Sequence, residues 1–514
     1  MKLNDSSLNN KKQWEDKGYI LPQFDRDKVR EKTMGVPQWL HFGAGNIFRA
    51  YIAVLAQKLL DNGDIDTGII VAEGYDYELL DVAYRPFDDM SISVTLKPDG
   101  NIIKTVVGSV VKSLKTDESD IDKVYEIFSS KSLQLVSFTI TEKAYSVTNS
   151  PFIQCITELC YNRFKNGAYP LALVSMDNCS HNGLLLKSAL RKIAEERVKS
   201  GSFDAGFMDY IDDPKSLAFP CTMIDKITPY PDDDVAKMLK NDGIEDMVSH
   251  VTALNSTTAA FVNSEEPEYL VIEDIFPNER PPLENAGVMF SNLETVDKFE
   301  KMKVCTCLNP LHTAISVFAC MLSYTRISQA MKDEDLRKLV QMVADEGLPV
   351  VVDPGIISPS EFIDTVINVR LPNPYIPDTP QRIATDTSKK LAVRFGETIK
   401  AYAASNSLDV QSLKAAPLVF AGWLRYLLGI DDNGEKFTLD PDPMHSEILP
   451  LLKDITLGSD IDCEKLLKPI LSRKDIFGVD LYEAGLADKV TQFFKMMIKD
   501  KGSIRSTLKT IFAM

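Results

Sequence analysis

Apolar positions in the first half of the chain fall into short runs separated by stretches of helical spacing. Trp39-Leu40-His41-Phe42 follows Pro37 and predicts a buried strand. After a glycine-containing turn, Ile47, Tyr51, Val54, Leu55 and Leu59 share one face of a helix that Gly63 ends. Gly68 to Ala72 predicts a second strand. Ser91 to Leu96 and Ile102 to Val111, parted by Pro98-Asp99-Gly100, predict a hairpin. Further strands are expected at Leu133 to Thr141, Leu171 to Met176 and Leu270 to Ile275, with a helix from Leu184 to Val198 that stops near Gly201. Short strands alternating with helices are the pattern of a parallel α/β sheet.

From about Leu308 the pattern changes to helices: Leu308 to Tyr324, Glu334 to Asp345, Gln381 to Ala404, Ser412 to Leu428 and Asp488 to Ile498. Pro277 to Phe299 reads as the crossover. The expected architecture is an α/β N-terminal Rossmann-type dinucleotide-binding domain over residues 30–290 and a mostly α-helical C-terminal domain over residues 291–514. The active site is expected in the cleft between them, a common place for ligands.

Composition narrows the function. A chain of 514 residues exceeds one hydrophobic core, and its 44% apolar and 25% charged content is that of an ordinary globular protein. A formal charge of −17 argues against nucleic acid or an anionic membrane as partner, while leaving room for a small anionic substrate held by a few local cations. The start, MKLNDSSLNNKKQWEDKG, is polar and lacks the apolar core of a signal peptide. No uninterrupted apolar run reaches the ~20 residues of a membrane span. The nearest, Pro417 to Ile430, is broken by Arg425. The expectation is a cytoplasmic protein. The eight cysteines form neither paired C-x-x-C lobes nor a Cys/His module. Cys305 and Cys307 have the spacing for a metal or redox pair, and buried thiols are the reading taken here. No metal is expected.

Two stretches carry chemistry. In HFGAGNIFRA, Gly43 and Gly45 stand between a strand and a helix, where a tight turn brings a pyrophosphate to the helix N-terminus. Asn46, Ile47 and Phe48 begin that helix and are expected to join Gly43 and Gly45 in binding the cofactor, with Phe48 where a full fingerprint has its third glycine. Glu73 ends the second strand, where a carboxylate accepts from the adenosine ribose and repels a 2′-phosphate, so NAD is favoured over NADP. Asp76 competes for that role, and a solvated loop acid is the plain alternative. The second stretch is KMKVCTCLNPLH. A metal-free dehydrogenase needs a base and neutral donors for the developing alkoxide. Lys303, Asn309 and His312 supply such groups, yet each alone also reads as a surface lysine, a helix cap and a core histidine.

The chain resembles the mannitol dehydrogenase family of polyol-specific long-chain dehydrogenases. The blocks run in order: HFGAGNIFRA, TITEKAY (Thr139 to Tyr145), SMDNCSHNG (Ser175 to Gly183), TMIDKITP (Thr222 to Pro229), VIEDIFPNERPPLENAGVMF (Val271 to Phe290), FEKMK…LNPLH (Phe299 to His312) and RLPNPYIPDTPQRIATDTSKK (Arg370 to Lys390). The resemblance implies Lys303 as acid–base group, Asn309 and Asn178 as holders of the oxyanion, and His312 as a ligand of a substrate hydroxyl. It further implies Asp225 as an active-site acid, Arg370 as a substrate contact and no metal. It departs from the family pattern in placing six positions, not five, between Lys303 and Asn309. One extra helical residue turns a side chain by ~100°, so a bulge or a non-helical stretch must absorb it, with Lys301 as the substitute base otherwise. The NPLH string also replaces an NGSH-like one at unchanged spacing. His181 and Asn182 are read as shaping a turn.

The expected activity is NAD-dependent interconversion of a keto-hexuronate and its hexonate, fructuronate and mannonate. Fructose/mannitol chemistry and tagaturonate reduction are the alternatives. A dinucleotide-binding sensor would have no need of the Lys/Asn/His set, and a sugar-phosphate dehydrogenase would need a phosphate site richer in arginine. The partner is a small sugar acid or polyol, and the protein a monomer or homodimer.

Overall fold

The computed structural model describes residues 1–140, 144–145 and 150–513. Residues 141–143 and 146–149, the end of the predicted strand Leu133 to Thr141 and part of the TITEKAY block, lie outside them. The chain divides into two compact units, Met1–Asp297 and Lys298–Met514.

The first unit is built on six parallel strands: β1 (Trp39–Phe42), β2 (Ile69–Glu73), β3 (Val110–Lys115), β4 (Leu135–Phe138), β5 (Leu171–Ser175) and β6 (Leu217–Ala218). Their order across the sheet is β3-β2-β1-β4-β5-β6. This is the dinucleotide-binding order, which reverses direction beside β1. Every residue of β1, β2, β4 and β5 is buried, because separate apolar clusters cover the two faces of the sheet. That double burial explains the near-continuous apolar runs. Helix α1 (Ala53–Asn62) follows β1 through a π-helical turn, Phe48–Ile52, and ends at Gly63.

The predicted hairpin is half right. Ser91–Leu96 does pair antiparallel with Ile102–Val107. Its second strand stops there, and Val110–Val111 already belong to β3 of the main sheet. The chain changes sheet at Gly108, whose carbonyl accepts from Arg26 Nε at 3.0 Å and whose missing side chain leaves room for Arg26. A further strand, Thr222–Asp225, pairs antiparallel with Tyr269–Glu273, which pairs parallel with Met289–Ser291.

The second unit is helical. Helix α2 (Leu293–Lys301) leads through a π-helical turn, Met302–Cys307, into α3 (Asn309–Met321). Helix α4 (Glu334–Gly347) packs on α3, and α6 (Ala415–Tyr426) on both. The stretch Leu293–Met321 is long and apolar enough to cross a bilayer, yet its most apolar window is 78% buried inside the protein, the mark of a core helix. The single helix predicted from Gln381 to Ala404 is instead broken. A short α5 (Pro380–Ala384) ends before Asp386, whose φ of 53° is left-handed, and helix resumes at Thr387.

Candidate active site

In the first unit the glycine turn is braced on all sides. Gly43 has φ 106°, and a Cβ there would lie 2.6 Å from the Thr139 carbonyl oxygen, so only glycine fits. A Cβ at Gly45 would meet nothing within 4 Å, leaving open space beside the turn. The Ala44 N–H donates to Glu73 Oε2 at 2.8 Å, and its carbonyl accepts from Tyr84 Oη at 2.8 Å. Glu73 Oε1 accepts from the amides of Tyr75 at 2.9 Å and Asp76 at 3.2 Å. Three N–H donors facing one carboxylate match its ionised form. Burial pushes its pKa up, against the pull of those amides. Glu73 thus first holds the turn in shape. Asp76, the competitor, is buried and accepts from Thr252 Oγ1 at 2.6 Å.

The residues after the turn are also engaged. Asn46 Oδ1 accepts from Arg49 Nη2 at 3.0 Å, and its amide donates to Pro229 O at 3.3 Å. Ile47 is partly buried against the core. The Phe48 side chain, expected at the cofactor, is instead fully buried: its ring, at the third glycine's position, stacks on His41 with centroids 4.0 Å apart and belongs to the core. His41 is fully buried between Ser137 Oγ at 2.6 Å and Thr139 Oγ1 at 3.0 Å, and burial pushes its pKa down to about 3. Thr139 in turn donates to Gly43 O at 3.1 Å, so a neutral imidazole is linked to the turn.

Asn178 is exposed just past β5. Its neighbour Asp177 is buried and accepts from Tyr145 Oη and, at 3.0 Å, from Cys179 N. Asn182 does shape the turn: its amide reaches Ser175 O at 3.2 Å and Thr222 Oγ1 at 3.0 Å, and its Oδ1 accepts from Thr222 N at 2.9 Å. His181 adopts a left-handed φ of 52° and pairs with Asp297 at 2.9 Å. Asp225 is buried at the end of its strand.

In the second unit Lys303 is buried inside the π-helical turn, while Lys301 is exposed. The turn lies between Lys303 and Asn309, where the extra residue has to be absorbed, and Leu308 then departs from helical geometry with φ −127°. Asn309 opens α3 half-buried, followed by Pro310, which suits a first turn. Its carbonyl accepts from Thr313 Oγ1 at 3.0 Å and Arg394 Nη1 at 3.3 Å. Arg394 also donates to Thr313 Oγ1, and burial pushes its guanidinium down to about 10. One turn along α3, His312 shares a small cavity with Arg370, Asn373 and Asp378. Arg370 is buried at the end of another π-helical turn, Val366–Arg370. The structure therefore joins two predicted residues, His312 and Arg370, that lie far apart in sequence.

Sequence reasoning missed Asp378, Arg394 and Tyr84, because nothing local marks a residue whose task is to hold another. Two other cations of the Arg370–Lys390 block are already engaged: Arg382 pairs with Asp378, and Lys390 donates to the Ile383 and Thr385 carbonyls. Lys390 Nζ has its pKa pushed down to about 8, chiefly by burial and then by Arg394. Lys389 is solvent-exposed. Among the described residues no cluster of three or more His, Cys, Asp or Glu is arranged to hold a metal.

The chain matches the mannitol dehydrogenase Rossmann domain over residues 37–285 and the mannitol dehydrogenase C-terminal domain over residues 295–498. It is 48% identical to a D-mannonate oxidoreductase of Thermotoga maritima, over 99% of this chain and 99% of that protein. It is 28% identical to a mannitol 2-dehydrogenase of Emericella nidulans, over 86% of each. The fold is shared with a D-sorbitol dehydrogenase solved in substrate-free form, at TM-score 0.79 and 23% identity over 99% of this chain and 100% of that one. It is shared too with a Pseudomonas fluorescens mannitol 2-dehydrogenase solved with NAD and D-mannitol, at TM-score 0.67 and 24% identity over 100% of both chains. With both halves matched in order and near-complete overlap with a relative at this identity, the chain belongs to the mannitol dehydrogenase family.

Proposed function

We propose that this protein is an NAD-dependent oxidoreductase that interconverts a keto-hexuronate and its hexonate, with fructuronate and mannonate as the pair. The observation that carries this reading is the 48% identity, end to end, with a D-mannonate oxidoreductase. The turn at Gly43–Gly45 fits a dinucleotide: the space beside Gly45 admits a phosphate at the start of the helix, and Ala44 is held rigid by Glu73 and Tyr84. When bound, the nicotinamide supplies or receives the hydride.

The remaining chemistry falls to side chains. In the reductive direction the carbonyl oxygen becomes an alkoxide and takes a proton from Lys303 Nζ, which returns to the amine. In the oxidative direction the amine takes the hydroxyl proton back. Asn309 and Asn178 are the proposed donors to that oxygen, neutral groups that favour its charge without trapping it. His312 and Arg370 are the proposed substrate ligands and Asp225 the accompanying acid. The shared cavity of His312 and Arg370 supports their joint role. A planar guanidinium suits a uronate carboxylate through two charge-assisted hydrogen bonds. Following NADH oxidation across fructuronate, tagaturonate and fructose tests the reading. Turnover of fructuronate is the expected result, and absence of turnover on every keto-sugar would dismiss it.

A further inference from the structure

His312 Nε2 lies 3.3 Å from Asp378 Oδ2, and both side chains are largely buried, at 17% and 12% exposure. The Nε2 atom has no aligned hydrogen-bond partner, so a small ring rotation would complete the bond, as often happens when ligand closes a site. The carboxylate is held from its other side, since Asp378 Oδ1 pairs with Arg382. Its backbone is fixed as well, the Asp378 carbonyl accepting from Ile327 N at 3.0 Å. Burial pushes the Asp378 carboxyl up, but His312 and Arg382 outweigh it and hold it below the usual carboxylate range. An ionised Asp378 can only accept, so it demands a proton on the nitrogen it faces.

We propose that Asp378 is a positioning residue for the reaction, orienting the His312 ring and fixing its proton on Nε2 so that Nδ1 is the atom offered to a substrate hydroxyl. The tautomer of an imidazole is set by the partner of its other nitrogen, and such supporting carboxylates commonly matter about as much as the groups they orient. Arg382, mostly exposed at 65%, tethers the carboxylate without entering the cavity wall. The inference rests on the reading of His312 as a substrate ligand.

The test is a double-mutant cycle of Asp378→Asn and His312→Gln, measured as kcat/KM on whichever keto-sugar the unaltered protein reduces best. Asp378→Asn is expected to lower kcat/KM by roughly 10- to 100-fold, with NADH binding unchanged and partial rescue by Asp378→Glu. In the His312→Gln background the same change is expected to add almost nothing. The chain has five histidines, so ring-nitrogen NMR can follow His312, whose Nε2–H signature is expected to weaken in Asp378→Asn. A loss of equal size in both backgrounds, or an unaltered His312 signature, overturns the proposal. If Asp378→Asn fails to fold, Arg382→Met perturbs the same carboxylate from the surface. Its smaller loss must also vanish without His312, and a loss that persists there overturns the proposal. An unaltered protein that reduces no keto-sugar would instead remove the functional reading itself.

Discussion

The backbone N–H of Leu308 donates to the carbonyl of Lys303 at 3.1 Å, spanning five residues where an α-helix spans four. This wider turn takes up one residue within the six-position spacing of Lys303 and Asn309, before Leu308 leaves helical geometry. Two positions apart on the helix, Lys303 is buried and Lys301 exposed. Lys303→Ala is expected to lower turnover by at least ~10²-fold, the lower range for losing a general acid–base group, with NADH affinity little changed. Lys301→Ala is expected to behave as wild type. Steady-state kinetics beside NADH fluorescence titration decide it, and the reverse outcome would move the acid–base role to Lys301.

The π-helical turn is packed as well as bonded. A Cβ on Gly347, at the end of α4, would lie 2.7 Å from Thr306 Cγ2, and the β-branched Thr306 has little freedom to yield. Gly347→Ala is therefore expected to destabilise by about 1–3 kcal/mol, the usual scale of overpacking, and to lower kcat by disturbing Lys303. Adding Thr306→Ser, which removes the offending methyl, is expected to restore both. Denaturant midpoints and kcat of the single and double variants check this, and a Gly347→Ala protein with wild-type values would show that the turn can shift freely.

Particular residues show what the chain made legible. The alternation of strand and helix from Trp39 to Val198 was readable because a doubly covered parallel sheet needs near-continuous apolar runs. The run through Val106 to Val111 misled for the same reason: apolar residues continue while the chain passes from one sheet to another at Gly108. Met289–Ser291, three half-buried residues, carries no period to detect. The extra residue before Asn309 announced a bulge or a non-helical stretch, and a π-helical turn followed by the non-helical Leu308 stands there. Asp378 gave no signal, because its partner His312 is brought to it only by the packing of α3 against α5.

A single substitution at Glu73 bears on both the cofactor preference and the shape of the glycine turn. The oxygens of Glu73 hold the Ala44, Tyr75 and Asp76 amides, and its charge is proposed to disfavour a 2′-phosphate. The unaltered protein is expected to prefer NADH to NADPH. Glu73→Gln is expected to narrow that preference by roughly 10-fold, the scale of one charge repulsion across several ångströms at an effective dielectric of about 20, while raising KM for NADH because an amide cannot accept from all three donors. Kinetics with both cofactors check this. Equal use of the two by the unaltered protein would deny Glu73 its discriminating role.

His41 makes stability depend on pH. Burial pushes its pKa down to about 3 in the folded protein, against the ordinary histidine value of 6.5. Between those values the unfolded chain binds a proton that the folded one refuses. Stability from this group is therefore complete above pH 6.5 and declines as pH falls below it, by about 1.4 kcal/mol per pH unit. His41→Asn is expected to be less stable than wild type at pH 7 and to lose less on acidification to pH 5. Urea midpoints at the two pH values measure it, and parallel losses in the two proteins would rule out His41 as the source.

A keto-hexuronate differs from fructose by its carboxylate. The direct measurement is kcat/KM for fructuronate and for fructose, on wild type and on Arg370→Ala, under identical NADH. Fructuronate is expected to be the better substrate of the wild type. Arg370→Ala is expected to reduce the fructuronate value by ~10²-fold or more, the cost of removing one partner of a buried charged pair, and the fructose value by less. A wild type that prefers fructose would contradict the account and group this protein with the mannitol 2-dehydrogenases in activity.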